Sequence, residues 1–295
     1  ERKSEGSDYQ YDLPDAVGED YGEFADADRR LLNLPDAPYL AQNLAEQRDS
    51  LLLTVPENTS LDAPLVLNID LAAPRLTRNG SILGTPEDVG LLWERLEAAG
   101  MRCREARWNQ PVLVAPSPPG GLAAQAVARR QSLSWAARGT RKARPEEETL
   151  VLPASVAMFT EEVGYDPMSA GGSYARNVSW LIGQGRSYIL LDDGHGGPAL
   201  PDRPARVAFK ADVGGIWHAP DGAVAQLTGV WTRPDLRGRG VGSVALASVV
   251  DAVRREHVGP GGGVSLYVND FNAPARALYD SLGFTPHGAF ATVLL

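Results

Sequence analysis

The sequence holds a single cysteine, Cys103, which excludes an internal disulfide and any zinc cage built on thiolates. Lysine is almost as scarce: only Lys3, Lys142 and Lys210 occur, and none follows a glycine. That removes the Gly-Lys-Ser/Thr step of a phosphate-loop kinase or ATPase. Neither a Gly-x-Ser-x-Gly elbow nor a His-Glu-x-x-His pair is present. No apolar run approaches the roughly 20 residues of a membrane span, and the first residues are acidic where a signal peptide is basic. Positive charge is outnumbered, 28 Lys and Arg against 37 Asp and Glu, for a net charge of -9. Such a field repels nucleic-acid phosphates and anionic membranes, so the expectation is a soluble, cytoplasmic, bacterial-type chain with neither as a partner. What is there, 295 residues of which 43% are hydrophobic, suffices for two ordinary domains or one large one.

Residues 1–30 carry ten acidic side chains against four basic ones and few aliphatic ones, the pattern of a disordered arm. Patterning begins near Leu31. Leu51 to Val55 and Pro64 to Leu71 read as strands. Pro86 to Gly100 reads as a helix, with Val89, Leu92, Trp93 and Leu96 on one face and Gly100 at the C-cap. Ala115 to Gly121 breaks regular structure, and the Arg-rich stretch to Arg144 reads as exposed. These features predict an N-terminal domain over 31–140 and a second domain over 141–295.

In the second, helices are expected over Leu150 to Glu162 and Val178 to Gly185, and strands over Ser187 to Asp192, Arg206 to Asp212, Ala223 to Trp231 and Val264 to Val268. The last two strands are each followed by a helix, and a final strand closes the chain. Hairpins followed by a βαβα unit predict an α/β (α+β) fold with a mixed sheet.

One run carries the chemistry: Val230-Trp231-Thr232-Arg233-Pro234-Asp235-Leu236-Arg237-Gly238-Arg239-Gly240-Val241-Gly242-Ser243. A strand ends, a glycine-rich loop follows, and a helix begins with its stripe at Leu246, Val249, Val250 and Val253. Glycines at 238, 240 and 242 lack the Cβ atoms that keep an anion off the backbone, and a helix start offers unpaired amides at its positive end. This reads as a pyrophosphate cradle or as a plain glycine-rich turn. A dinucleotide fingerprint is disfavoured, because hairpins precede it instead of a parallel βαβ unit.

Arg237-x-x-Gly240-x-Gly242 resembles the Arg/Gln-x-x-Gly-x-Gly/Ala loop of the GNAT superfamily of acyl-CoA-dependent N-acyltransferases. Asn272 to Phe284, with Tyr279 and Gly283 in step, resembles the closing helix of the same family. Leu152 to Gly164 and Ser265 to Phe284 further resemble an uncharacterised bacterial subgroup in which a GNAT domain follows a domain of unknown function, suspected to be a degenerate GNAT-like module.

The resemblance implies a mixed, mostly antiparallel sheet with splayed central parallel strands, preceded by a smaller α/β domain. It implies acetyl-CoA as co-substrate, no metal, and transfer to a primary amine of a small molecule or protein. It assigns CoA contacts to Val230, Thr232, Arg237, Gly238, Arg239, Gly240, Val241, Gly242, Ser243, Asn272 and Tyr279. The Val230 amide is implied as the donor to the acyl oxygen and Tyr279 as the acid for the leaving thiolate. Tyr279 also reads as a core aromatic, and Asn272 as a plain helix N-cap. Where some relatives carry a glutamate base this chain has Gln226, so Glu161 and Glu162 are the leading candidates on the acceptor side, with a solvated helix-end pair as the alternative reading. Cys103, outside the motif, argues against an acyl-cysteine route. His218 and the Asp192, Asp193 and His195 group read as hairpin-loop residues without ligand spacing. A module that holds acyl-CoA without turnover is the rival function. The leading half is left three roles: shaping the acceptor pocket, mediating a homodimer, or binding a separate ligand.

Overall fold

A computed structural model describes residues 51–53, 65–68, 81–98, 100–170, 172–200, 204–219 and 222–295. The expected acidic arm lies outside them. The described chain divides into two compact units, one of Val112–His287 and a smaller one of the residues up to Pro111 together with Gly288–Leu295.

In the smaller unit, β1 (Leu51–Leu53) pairs antiparallel with β2 (Leu65–Asn68), and β2 with β3 (Ser81–Gly84). Helix α1 (Pro86–Ala98) follows. Thr85 opens it by accepting from the Asp88 amide at 3.2 Å while donating to the Asp88 carboxylate at 2.6 Å. Val89 and Trp93 of the expected stripe are buried, and Gly100 closes the helix at φ 90°. Strand β4 (Glu105–Val114) starts in this unit.

The larger unit continues with α2 (Leu122–Arg129), α3 (Ser134–Gly139), β5 (Arg141–Lys142), α4 (Glu148–Val163), α5 (Ser173–Gly183) and β6 (Ser187–Asp192). Then come β7 (Arg206–Ala219), β8 (Gly222–Thr232), α6 (Val241–Val253), β9 (Gly263–Tyr267), α7 (Ala273–Ser281) and β10 (Thr285–Leu294). From Ser281 the chain runs back to the smaller unit, where Ala291–Leu294 of β10 pair antiparallel with β3. Within the larger unit the strand order is β4-β9-β8-β7-β6-β5, and among the described residues β8–β9 is the one parallel ladder.

Helix α6 is apolar almost all round, with ten of its thirteen residues buried, so it must be covered on several sides. Part of the cover comes from α2 and α3: Leu122, Ala126 and Ala136 belong to its core cluster. The stretch expected to be an exposed boundary is therefore core. Leu122 and Ala126 stand one turn apart on the inner face, while Arg129 and Arg130, at the end of the helix, are exposed. The compact unit that holds α2 and α3 begins at Val112.

The anchor for α2 is electrostatic. Both oxygens of Asp251, on α6, accept from its first amides, Leu122 N at 2.9 Å and Ala123 N at 2.8 Å. A carboxylate at a helix start satisfies orphan donors and opposes the helix dipole. Gly121 sits at φ 91°, where an added Cβ would stand 2.7 Å from Asp251 Oδ2. Only glycine fits.

Candidate active site

The site opens where the parallel ladder ends. Pairing between β8 and β9 runs from Val224↔Gly263 to Leu227↔Leu266 and stops, so Thr228 to Thr232 have no β9 partner. On their other side these residues pair with β7 through a bulge: Lys210 faces Trp231 and Asp212 faces Thr228, leaving Gly229 and Val230 opposite Ala211 alone. Gly229 takes φ 56°, the left-handed conformation that a bulge requires. The splayed parallel strands expected from the resemblance are thus present. Val230 and Thr232 lie half-buried on the unpaired stretch.

Beyond β8 a short turn buries Leu236, and α6 starts at Gly240 in the left-handed region, φ 84°. The three glycines serve different ends. A Cβ on Gly238 would meet nothing within 4 Å, so that side is open. At Gly242 a Cβ would collide with the Thr232 hydroxyl and come within 3.3 Å of Leu278, so its bareness lets α6 close on β8. At Gly240 it would strike the guanidinium of Arg130. Arg130 follows α2 and was not singled out from the sequence, where it looked like one arginine of an exposed run; only the Asp251 cap brings it here.

Arg129 beside it donates to the Ser281 carbonyl at 2.7 Å. The two arginines line a small cavity with Ser243, Val244, Ser281 and Leu282. Among the described residues no carboxylate pairs with Arg129, Arg130 or Arg239. In a chain of charge -9, that is an anion-attracting corner beside a helix start.

Arg237 is engaged otherwise. Its guanidinium grips Glu161 at 2.5 and 2.7 Å, and its Nε donates to the Thr232 carbonyl at 2.9 Å. Trp231 Nε1 adds a bond to Glu161 at 3.3 Å. The Arg237 pairing, with the Trp231 bond behind it, holds the Glu161 carboxyl below its ordinary range. Arg237 thus staples the loop to the end of α4 instead of facing the open side.

Glu162 stands next to it, exposed at the end of α4, and accepts from Asn269 Nδ2 at 2.9 Å. Its charge is felt at Tyr279, whose hydroxyl is pushed above its ordinary range by burial first and by Glu162 second. Tyr279 lies 5% exposed among Ala275, Leu278 and Leu282, its ring 5.6 Å from that of Phe284. Helix α7 holds it in place. Asn272 caps the start through Oδ1 to Ala275 N at 3.2 Å, and Gly283 at φ 81° closes the end with the Phe284 amide on the Tyr279 carbonyl.

Gln226 is buried in register with Gly215 and Ser265. Asp192 is wholly buried and held by Arg233 at 2.6 and 2.7 Å, while Asp193 accepts from the His195 and Gly197 amides. His218 stands on β7 opposite Ala223, within the strand and not in a loop. Cys103 belongs to the smaller unit.

The site is therefore a mixed sheet with one splayed parallel pair, opening on a glycine loop and a helix start. Residues 203–284 match the Acetyltransferase (GNAT) family, and residues 58–137 match a domain of unknown function, DUF4081. The C-terminal part of the chain is thus similar to GNAT acetyltransferases and its N-terminal part to DUF4081 domains. Among individual proteins, a mycothiol acetyltransferase of Beutenbergia cavernae is 26% identical over 208 residues, 64% of this chain. The chain spans 58% of that relative's length. Solved structures with likeness to this one include a GNAT-family acetyltransferase from Colwellia psychrerythraea (10% identity, 94% of this chain, 98% of that one, TM-score 0.45). A tandem GNAT protein of the clavulanic acid biosynthesis pathway matches at 15% identity over 96% of this chain and 98% of its own, TM-score 0.41.

Proposed function

We propose that this chain transfers an acyl group, most simply acetyl, from acyl-CoA to a primary amine by direct attack. The observation that carries the reading is the unpaired stretch Thr228 to Thr232, which runs from a bulge into the glycine loop at the start of α6. An extended thioester arm needs free edge groups of one strand, and a diphosphate needs helix-start amides at its end. Both lie in one continuous segment.

The first-turn amides of α6, from Val241 to Ser243, receive the diphosphate, with Arg130 and Arg239 supplying positive charge. Thr232 and the amide nitrogen of Asn272 are in the segments that flank the pantetheine arm. The Val230 N–H donates to the acyl oxygen as negative charge builds on it. Glu161 is committed to Arg237, so Glu162 takes the role of binding the ammonium of the acceptor and accepting its proton. Tyr279, kept protonated by its surroundings, gives its proton to the departing thiolate. Free thiol and an amide are the products.

A non-catalytic acyl-CoA-binding module is the second reading, favoured by Gln226 at the position where some relatives carry a base. Titration calorimetry of the chain with acetyl-CoA beside free CoA, followed by an amine screen read by thiol release, separates the two. Saturable binding with thiol release supports transfer. Binding without release for any amine supports the module. A folded chain that binds neither ligand overturns both.

A further inference from the structure

Two ionisable groups within the larger unit have no part in the chemistry above. Lys210, on β7, is entirely shielded from solvent, and Asp212, on the same face of that strand, is 7% exposed. Lys210 Nζ lies 2.5 Å from Asp212 Oδ2, and Asp212 Oδ1 accepts from Ser187 Oγ at 2.7 Å. A buried ion pair returns little more than its desolvation costs, and apolar residues of similar volume are often as stabilising. A role other than stability is therefore worth seeking.

The third contact of the pair supplies one. Lys210 Nζ also donates to the carbonyl oxygen of Gly229, at 3.4 Å. Gly229 is the left-handed residue of the β8 bulge, and a Cβ there would stand 2.9 Å from Asp212 Oδ2 and 3.0 Å from Lys210 Nζ. The carbonyl carbon of Gly229 is bonded to the nitrogen of Val230. One peptide group thus has a cation at its oxygen end and, at its N–H end, the donor aimed at the thioester. Electron density drawn toward the oxygen makes the N–H a stronger donor, as linked hydrogen bonds polarise one another.

We propose that Lys210, steadied by Asp212, is a positioning residue that fixes the bulge and polarises the Gly229–Val230 peptide, preparing the Val230 N–H for charge on the acyl oxygen. No bond to Lys210 forms or breaks. Asp212 balances its charge in a site too dry for water to do so. The inference rests on the reading that β8 holds acyl-CoA.

The test needs no acceptor. Acetyl-CoA labelled with carbon-13 at the carbonyl is bound to the full chain, and the thioester C=O stretch is recorded by infrared difference spectroscopy. Calorimetric titrations with acetyl-CoA and with CoA run alongside. The variant Lys210→Met/Asp212→Asn removes both charges yet leaves an acceptor for Ser187, and Asp212→Asn alone keeps the Lys210 donor. In the wild type the stretch lies below its value in water, and in Asp212→Asn, where Lys210 lacks its counter-charge, part of that lowering is kept. In the double variant most of that lowering is lost, while affinity for CoA, which has no thioester carbonyl, is unchanged. Once an acceptor is found, kcat of the double variant falls about 10-fold with the KM for acetyl-CoA little changed. Where thermal melting finds the double variant unfolded, Lys210→Gln/Asp212→Asn makes the same comparison with a neutral donor. Equal lowering in every folded variant overturns the role of Lys210 alone. A wild-type chain that binds CoA but not acetyl-CoA, or neither, overturns the reading beneath it as well.

Discussion

Glu162 acts on Tyr279 before either meets a substrate. Burial first, and the nearby carboxylate second, hold the phenol in its protonated form. Tyr279→Phe preserves the ring contact with Phe284, so the fold should stand while kcat falls roughly 10- to 1000-fold, with acetyl-CoA affinity little changed. Steady-state kinetics beside a CoA titration checks this, and an unaltered kcat would leave Tyr279 as a core aromatic. Glu162→Gln keeps an acceptor for Asn269 but no base. Its kcat should drop at neutral pH and recover in part as the pH is raised and the free amine accumulates, whereas Glu161→Gln should instead loosen the loop and raise the KM for acetyl-CoA.

At the scale of elements, the cap on α2 decides where Arg129 and Arg130 stand. Asp251→Ala leaves two amides of α2 without their acceptor and should cost about 1–2 kcal/mol of stability. It should also weaken CoA binding although Asp251 touches no ligand, and Arg130→Gln should reproduce the binding loss without the loss of stability. Denaturant melts and calorimetry on both variants separate the two effects. Asp251 also marks what the sequence conceals. The glycine loop, α6, α7 and the hairpin strands were legible because each has a local signal: three glycines, an apolar stripe, Asn272 at a cap, alternation along Arg206 to Asp212. Helices α2 and α3 were not, because Leu122, Ala126 and Ala136 are too few and too small to outweigh the arginines between them, and their partner lies 129 residues away. A lone acid in the apolar run of α6 was the one available hint. The staple from Arg237 to Glu161 was hidden for the same reason: each residue read sensibly by itself, and only the fold joins them.

Across the whole molecule, a net charge of -9 works against an anionic ligand at long range, while the arginine corner attracts it at short range. Residues 1–30, with ten acidic and four basic side chains, hold most of the excess. Removing them should speed association of CoA at low ionic strength and leave the dissociation rate nearly unchanged. The advantage should fade as salt shortens the screening length to about 8 Å. Stopped-flow binding across a salt series tests this, and an association rate unaffected by the truncation would assign steering to the corner alone. No helix among the described residues is long and apolar enough to cross a membrane.

The reach of Asp251 into the start of α2 also bears on how such a chain can be inherited. Residues 122 and 123 fall within the segment matched to the domain of unknown function, and Asp251 within the acetyltransferase match. A recombination event that exchanged either piece at the seam between the two matches would strand a carboxylate against apolar helix faces and leave α6 stripped of Leu122 and Ala126. The two matched segments should therefore descend together, because the Asp251 cap ties one to the other and the β3–β10 ladder joins the first to the strand that follows the second.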